Sequence, residues 1–303
     1  MKMCLGTVQF GMKYGINNTL GQPSKEQVFE MLDAAIDNGI DVIDTARAYG
    51  DAEILLGEYF SEYNKEAVKH VSIISKLRPN SVEVGDNACD TVFSECESSL
   101  KRLCVDKLDG YLLHTPEYIY REDILDALIK LRDRGYVKNI GVSIYGIPEG
   151  DAAISAGVVD YIQLPYSVLD QRGTKTGFLK RAKEAGITIF TRSAFLQGLF
   201  MMDHNRIPDH LQNAVTYLDE FEEIISKYGV DRVTALLHFV KNVDDIDYLV
   251  WGVDTKEQLL DDIKCFHENV VPKEMLDDIR VKIDRVDESI IIPSLWSGGR
   301  KAE

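Results

Sequence analysis

The chain has 303 residues, a length that suits one (β/α)8 barrel and exceeds most other single domains. It is 45% hydrophobic and 28% charged, with 22 glycines and 8 prolines, which excludes collagen-like, low-complexity and disordered classes. A net charge of −16 repels nucleic acid and anionic membrane surfaces on average. We therefore predict a globular protein without a nucleic-acid or membrane partner.

Short β-branched runs alternate with longer amphipathic stretches along the whole chain. We predict eight strands, at residues 4–8, 42–46, 71–76, 108–114, 140–144, 161–165, 188–192 and 248–253. Ser24 is placed to cap a first long helix that ends before Gly39, and Thr255 to cap a late one. Residues 196–210 are predicted to form a long loop, and the chain from Pro272 onward an added helix and tail.

Eight strands, each followed by a helix, predict parallel pairing and closure into an α/β (β/α)8 TIM barrel. The alternative is a doubly wound open sheet, which usually carries a GxGxxG turn after its first strand. Gly6, Gly11 and Gly15 do not fit that spacing. No linker or composition break divides the chain, so residues 1–303 are predicted to form a single domain.

The five cysteines are odd in number and include no CxxC pair, so we interpret them as reduced thiols. The opening residues do not resemble a secretory leader. No uninterrupted apolar run approaches the ~18 residues that span a bilayer. These observations predict a cytoplasmic protein.

Polar residues follow several of the predicted strands, where the reactive groups of a (β/α)8 barrel gather. Asp44 lies near the end of the second strand, Tyr49 follows in the next loop, and Lys76 and His114 end the third and fourth strands. Each has a structural alternative: a turn cap for Asp44, packing for Tyr49, a solvated charge for Lys76 and a bonded core histidine for His114. Together they predict a catalytic site that delivers a proton.

The expected chemistry depends on the phenol of Tyr49, an acid with a pKa near 10 when it is free. An adjacent Lys76 ammonium stabilises the phenolate and is expected to lower that pKa. Asp44 would pair with Lys76, and His114 would bond the substrate oxygen that Tyr49 protonates.

The segment GIDVIDTARAYGDAEILLG at residues 39–57, with Lys76 in IISK and His114 in LDGYLLH, resembles the aldo-keto reductases. The resemblance covers nearly the whole chain. It implies NAD(P)H-dependent reduction of an aldehyde or ketone, reversible, with Asp44, Tyr49, Lys76 and His114 as catalytic residues. NADP(H) or NAD(H) would be the cofactor, a small carbonyl compound the partner, and no metal would be required. Formation of a homo-oligomer stays open.

The same resemblance implies the cofactor contacts. GVSIYG places Ser143, and YIQLPYS places Gln163, near the nicotinamide carboxamide, with Ile144 where the family usually has Asn. In FTRSAFLQGLF, Arg192 occupies the position that stacks on the nicotinamide. The full predicted set is Thr7, Ser143, Gln163, Arg192, Ser193, Phe195, Gln197, Gly252, Asp254, Thr255, Lys256, Gln258 and Asp262.

The segment VWGVDTKEQLLDDI resembles the part of the family that grips adenosine, with Asp254 at the usual arginine and Asp262 at the usual asparagine. A carboxylate 4 Å from a 2′-phosphate would cost about 4 kcal/mol at an effective dielectric constant of ~20. A carboxylate can instead accept from a ribose hydroxyl, so NADH is predicted to work at least comparably with NADPH. The positive charge of Lys256 would offset part of the repulsion from Asp254. Asp254 and Thr255 also have an alternative role as a helix cap.

The substrate pocket is expected to include Phe10, Tyr14 and Tyr145, beside Tyr49 and the loop at residues 196–206. Aromatic walls with polar rims favour a keto- or aldehydo-sugar. Two other functions stay open: a cofactor-binding regulatory subunit, like the potassium-channel β subunits that share this fold, and a hydrolase or isomerase barrel. The apolar stretch at residues 289–299 is predicted to cover the barrel, contact another subunit or join the pocket.

Overall fold

The computed structural model describes residues 1–296, in which eight parallel strands close into one barrel in chain order. β1 pairs with β8 in the register of Lys2 with Tyr248, which completes the ring. The strands are β1 (Lys2–Gly6), β2 (Val42–Asp44), β3 (Ser72–Lys76), β4 (Leu108–Leu113), β5 (Val137–Ser143), β6 (Tyr161–Pro165), β7 (Thr188–Arg192) and β8 (Tyr248–Trp251). The predicted (β/α)8 fold class is confirmed.

All eight predicted strands are present, and β6 and β7 have the predicted bounds. Five others, β1, β2, β4, β5 and β8, end one or two residues earlier than predicted. Thr7 donates both its N–H and its hydroxyl to the carbonyl oxygen of Asp44, each at 3.0 Å. The next residue, Val8, begins a helix instead of extending β1.

Thirteen α-helices lie in the described part of the chain, and short 3-10 and π segments join some of them. Their bounds are α1 (Val8–Gly11), α2 (Lys25–Asp37), α3 (Ala52–Glu58), α4 (Ala88–Leu103), α5 (Glu122–Asp133), α6 (Ile147–Ala156), α7 (Arg172–Lys175), α8 (Phe178–Glu184), α9 (Val215–Tyr228), α10 (Arg232–Lys241), α11 (Lys256–Glu268), α12 (Lys273–Lys282) and α13 (Glu288–Ile291). Ser24 caps α2 in a reciprocal capping box with Gln27, as its position predicted.

The hydrophobic core has two layers. Alternate strand residues point into the barrel and form a small inner cluster of Cys4, Val42, Ile74, Leu112, Phe190 and Val250. The remaining strand residues pack outward against the helices in a larger cluster. Filling the interior in this way leaves the carboxyl ends of the strands as the place where a ligand can enter.

The added helix predicted after Pro272 is α12, and the tail that follows packs on the loops after β6 and β7. Ile290 and Ile291 are buried, and the indole N–H of Trp296 donates to the carbonyl of Ile290 at 2.8 Å. Arg172 joins Glu288 at 3.0 Å and also donates to the carbonyl of Tyr145 at 3.0 Å. The last three residues of the apolar stretch, 297–299, lie outside the described residues.

The predicted loop at residues 196–210 contains 3-10 turns at Leu196–Met201 and His204–Arg206, and a third, Asp209–Ala214, follows. All five cysteines are free. Within residues 1–296, none of the helices combines the length and the apolar character needed to cross a bilayer.

Candidate active site

The four residues predicted to act on a proton meet at the carboxyl ends of β2, β3 and β4. Asp44 and Lys76 are the last residues of β2 and β3, and His114 directly follows β4. Tyr49 lies in the loop after β2, where its N–H bonds the carbonyl of Ala46. The barrel therefore brings together four side chains that lie up to 70 positions apart in the sequence.

Lys76 and Asp44 form a buried ion pair. Nζ of Lys76 lies 2.6 Å from Oδ1 of Asp44, with side-chain exposures of 0% and 3%. Nζ also donates to the carbonyl oxygen of Thr45 at 3.0 Å. Burial alone would lower the pKa of Lys76, but its attraction to Asp44 and Tyr49 outweighs burial and raises that pKa. The ammonium is therefore charged throughout the physiological range.

Tyr49 is the third neighbour of the Lys76 ammonium. Nζ lies 3.4 Å from the Tyr49 hydroxyl and 5.0 Å from the centre of its ring. Burial raises the pKa of Tyr49; Lys76 and Arg192 oppose that rise, while Asp44 adds to it. The net direction is upward, whereas the sequence argument expected a lowered pKa. The phenol is therefore neutral in the resting protein, because the attraction of Lys76 offsets only part of the cost of burying a phenolate.

His114 packs edge-on against Tyr49, with ring centres 5.8 Å apart and an interplanar angle of 88°. Burial lowers the pKa of His114 to about 3, and the positive charges of Lys76 and Arg192 contribute to the shift. Its Nδ1 makes no hydrogen bond within the described residues. The imidazole is therefore a neutral group at physiological pH.

The second oxygen of Asp44 is bonded from across the barrel. Nε2 of Gln163, on β6, donates to Oδ2 of Asp44 at 2.8 Å, and the hydroxyl of Ser143 lies 3.4 Å from Oε1 of Gln163. Ser143 and Gln163 are buried and do not line the cleft described next. Both were predicted to contact the nicotinamide; in this structure Gln163 bonds Asp44 and Ser143 bonds Gln163.

A cleft of about 640 Å³ opens beside Tyr49 and Asp44, within the size range of small-molecule sites. It runs along the ends of β1, β7 and β8. Of the predicted cofactor residues, those that line it are Thr7, Arg192, Ser193, Phe195, Gln197, Gly252, Asp254, Gln258 and Asp262. We call the part beside Tyr49 the β2 side and the part formed by β8 and α11 the β8 side.

The loop after β7 has an unusual backbone. Ser193, Leu196 and Gln197 adopt positive φ angles of 69°, 46° and 53°, and such turns expose backbone N–H groups that suit an anion. The guanidinium of Arg192 lies 4.4 Å from the ring centre of Tyr145 and 3.3 Å from the carbonyl oxygen of Ile144. The positive charge of Arg192 therefore lies at the start of this loop.

The β8 side carries carboxylates. Oδ1 of Asp254 accepts from the side-chain amide of Asn18 at 3.1 Å, and burial raises the pKa of Asp254. The hydroxyl of Thr255 caps α11, because it accepts from the N–H of Gln258 at 3.2 Å. Thr255 therefore has the helix-cap role that was the alternative for both residues, whereas the carboxylate of Asp254 does not cap the helix. Thr255 and Lys256 do not line the cleft.

The three predicted substrate residues are placed differently from one another. Tyr14 lines the cleft near Tyr49 and Arg192. Tyr145 is partly exposed beside Arg192. Phe10 is fully buried in the core and does not line the cleft, because β1 ends early and α1 turns its ring inward. A pocket role for the Phe10 side chain is not supported by this placement.

Several cleft residues were not predicted from the sequence. Gln9, Asn17 and Asn18 follow β1, Trp251 ends β8, and Asp261 lies on α11. The rule that ligands bind beyond the carboxyl ends of barrel strands pointed to the residues after β1. It did not indicate which of them face inward, because that depends on α1.

Comparisons with known proteins agree with this geometry. The model of the Aldo/keto reductase family matches residues 2–284. The chain is 26% identical to aldo-keto reductase YhdN of Bacillus subtilis over 271 residues, with 81% of each chain covered. It is 22% identical to the NADH-specific methylglyoxal reductase of Escherichia coli, with 77% of this chain and 80% of that protein covered.

A solved structure shares the fold. The holo form of aldo-keto reductase AKR11C1 from Bacillus halodurans superposes with a TM-score of 0.73 at 18% identity, covering 92% of this chain and 91% of that one. The likeness extends over the barrel, and the family match extends from the first strand through α12. The chain therefore belongs to the aldo/keto reductase family of NAD(P)H-dependent oxidoreductases.

Proposed function

We propose that this oxidoreductase reduces a small aldehyde or ketone, with Tyr49 as the proton donor. The observation that carries the proposal is the buried Lys76–Asp44 pair, whose ammonium lies 3.4 Å from the Tyr49 hydroxyl beside a cleft. Bound NAD(P)H supplies the hydride. The protein's own residues have to orient the carbonyl and deliver a proton to its oxygen.

Tyr49 suits the donor role better than His114. Because burial raises its pKa, the phenol keeps its proton at neutral pH. His114 has a pKa of about 3, so its imidazole carries no extra proton to give. A neutral imidazole can still donate one N–H to the carbonyl oxygen and hold it in place.

Lys76 contributes as the proton leaves. The Tyr49 oxygen then becomes negative, and an ammonium 3.4 Å away stabilises that charge in a site with little water. Asp44 and the carbonyl of Thr45 hold Nζ in position. Gln163 holds Asp44, so the arrangement exists before substrate arrives.

The cleft fits a dinucleotide chemically. Left-handed turns after β7 expose backbone N–H groups that suit a diphosphate. Asp254 lines this side and would repel a 2′-phosphate, so we infer that NADH serves at least as well as NADPH. The similarity to an NADH-specific methylglyoxal reductase of Escherichia coli supports this choice.

For the substrate we propose a hydroxylated carbonyl compound such as a keto- or aldehydo-sugar. Tyr14, Tyr49 and Tyr145 offer aromatic surface with phenol oxygens, and Arg192 adds hydrogen-bond donors beside them. The mixture suits a ligand with polar groups on a short carbon chain.

The test is oxidation of NADH and NADPH, followed by absorbance, over a panel of sugars and aromatic aldehydes. Tyr49→Phe should lower kcat about 10²–10⁴-fold, because it removes the acid without opening a cavity. Fluorescence titration should show that the variant still binds cofactor. Native turnover by Tyr49→Phe would contradict the role of Tyr49. Cofactor binding without turnover on any substrate would favour a regulatory subunit, and affinity tenfold higher for NADPH would reject the inference from Asp254.

A further inference from the structure

Glu53 is a buried carboxylate that the proposed proton transfer does not use. It lies on α3, shortly after Tyr49 in the chain, and its side chain is 0% exposed. Each of its oxygens has a partner on a different element. Oε1 accepts from the hydroxyl of Ser75 on β3 at 2.7 Å, and Oε2 accepts from Nε of Arg102 on α4 at 3.1 Å. Glu53 therefore joins α3 to both β3 and α4.

The first partner of Glu53, Ser75, lies next to Lys76 in the chain. Successive residues of a strand point to opposite faces, so Ser75 points outward to the helices whereas Lys76 points into the barrel. Ser75 is fully buried, and its hydroxyl bonds the Glu53 carboxylate. The bond thus holds the segment of backbone that carries the Lys76 ammonium.

The second partner, Arg102, reaches the loop that carries Tyr49. Its Nη2 donates to the carbonyl oxygen of Gly50 at 2.8 Å, while its Nε donates to Glu53. The planar guanidinium makes both bonds in one fixed geometry, which a lysine ammonium does not reproduce. A Cβ at Gly57 would fall 2.0 Å from the carbonyl oxygen of Arg102, so α3 and α4 touch there backbone to backbone. This close contact fixes where the guanidinium begins.

The loop between Tyr49 and α3 is also held by α1. Gly50 has a positive φ of 51°, and a Cβ there would fall 2.2 Å from the carbonyl oxygen of Gly11. A Cβ at Gly11 would in turn fall 1.7 Å from the carbonyl oxygen of Tyr49. The two backbones are therefore in direct contact, and Arg102 adds a hydrogen bond that holds the loop in this place.

The contact between Tyr49 and Lys76 is sensitive to small movements of this loop. The Tyr49 hydroxyl lies 3.4 Å from Nζ of Lys76, whereas hydrogen bonds of this kind usually measure about 2.7–3.2 Å. A further displacement of a few tenths of an ångström would break the contact. Misplacement of a reacting group by about 1 Å can lower a rate about 10²-fold. Glu53 acts on both partners of the contact, because Ser75 precedes Lys76 and Arg102 bonds the residue after Tyr49.

We propose that Glu53 and Arg102 are a positioning pair, which sets the distance between the Tyr49 hydroxyl and the Lys76 ammonium. The inference rests on the proposed function, in which Tyr49 donates the proton. Neither Glu53 nor Arg102 lines the cleft beside Tyr49. The pair is therefore expected to affect the rate of proton transfer and not the affinity for the cofactor.

The sharpest test is Arg102→Lys, which keeps a positive charge beside Glu53 but loses the fixed fork that also bonds Gly50. With saturating NADH and the aldehyde that the native protein reduces fastest, kcat should fall about 10- to 100-fold, while the Kd of NADH stays within about twofold. Glu53→Gln should lower kcat similarly, because its amide places a donor against one of two donors. Ser75→Ala removes a single bond and should have a smaller effect in the same direction.

A second measurement separates positioning from a general loss of structure. Arg102→Lys is combined with Tyr49→Phe, and kcat of the double variant is compared with that of Tyr49→Phe alone. A protein without the phenol has no proton donor to misplace, so the residual kcat should change by less than about twofold. An equal loss of kcat in both backgrounds would overturn the positioning role.

Asp247→Asn is the matched control for the loss of a partly buried ion pair. Asp247 lies at the amino ends of β7 and β8, where it pairs with Lys183 at 2.8 Å and accepts from the N–H of Ile189 at 2.7 Å. Its replacement should lower the melting temperature at least as much as Arg102→Lys does, but leave kcat within about twofold of the native value. A loss of kcat equal to that of Arg102→Lys would show that position on the barrel is irrelevant and would overturn the inference.

The outcomes separate this inference from the proposed function. Native turnover by Tyr49→Phe would refute the proposed function itself. Loss of turnover in Tyr49→Phe, together with native kcat in Arg102→Lys and Glu53→Gln, would refute the positioning role alone. If the variants of Glu53 and Arg102 do not fold, Ser75→Ala decides: native kcat in that variant would refute the role, and a lowered kcat with unchanged Kd of NADH would support it.

Discussion

The two sides of the cleft differ in how their charged groups are bonded. On the β2 side, the Lys76 ammonium has three oxygen neighbours and both oxygens of Asp44 are bonded. On the β8 side, Asp262 has an oxygen without a partner among the described residues, and so have Gln9 and Trp251. The protein itself therefore bonds the charged groups of the β2 side, whereas it leaves buried polar atoms of the β8 side without a full hydrogen bond. We propose the first as the group that transfers a proton and the second as part of the cofactor cleft.

Removing the Lys76 ammonium from the β2 side should have the largest effect on stability and turnover. Lys76→Met leaves the carboxylate of Asp44 buried without its counter-ion, and we expect the free energy of unfolding to fall by about 3–5 kcal/mol. Turnover should be abolished, while cofactor binding is largely retained in the protein that folds. Denaturant unfolding and cofactor titration check these outcomes. The double variant Asp44→Asn with Lys76→Met should recover part of the stability; native turnover in the single variant would show that Lys76 has no role.

A smaller effect is expected from the bond across the barrel. Gln163→Leu removes the donor to Oδ2 of Asp44 and should cost about 1–3 kcal/mol of unfolding free energy, since a buried acceptor is left unbonded. Ser143→Ala is the matched control, because the contact it removes is long, at 3.4 Å, and should cost less. If both variants unfold at the same denaturant concentration as the native protein, the bond does not stabilise the site.

The smallest expected effect is in the pH dependence of turnover, which the groups of the β2 side determine. For reduction at saturating cofactor and substrate, kcat should be constant from about pH 5 to 9, because His114 titrates near 3 and the pKa of Tyr49 is raised. Activity should be lost only as pH rises through the pKa of Tyr49, where the donor loses its proton. A step in kcat near pH 7 would mean that a group other than Tyr49 and His114 acts on the reaction step.

The sequence predicted the barrel and the meeting of Asp44, Tyr49, Lys76 and His114 at its strand ends, because both depend on local signals. The β-branched runs that became β6 and β7 had the right bounds, and the rule of strand ends brought Asp44, Lys76 and His114 together. The direction of the Tyr49 pKa was wrong, since the cost of burial depends on neighbours from distant parts of the chain. Phe10 was misplaced because Val8, the predicted end of β1, begins α1 instead.

The link between Gln163 and Asp44 could not be read from the sequence at all. A resemblance to known relatives indicated a nicotinamide contact for Gln163, and nothing in the spacing suggested that its amide would reach β2. The unbonded atoms of the β8 side could not be predicted either, because whether a buried polar atom lacks a partner depends on all the residues that pack around it.

The same amide bond has a consequence for how the protein folds. Gln163 and Asp44 are 119 positions apart, so the chain must bring β2 and β6 to the two flanks of a closed ring before the bond can form. Contacts at such long range carry a large loop-closure cost and slow the search for the native state. We expect half-barrel intermediates to possess the ion pair of β2 and β3 but not its anchor, so that catalytic competence appears only at the final step of assembly.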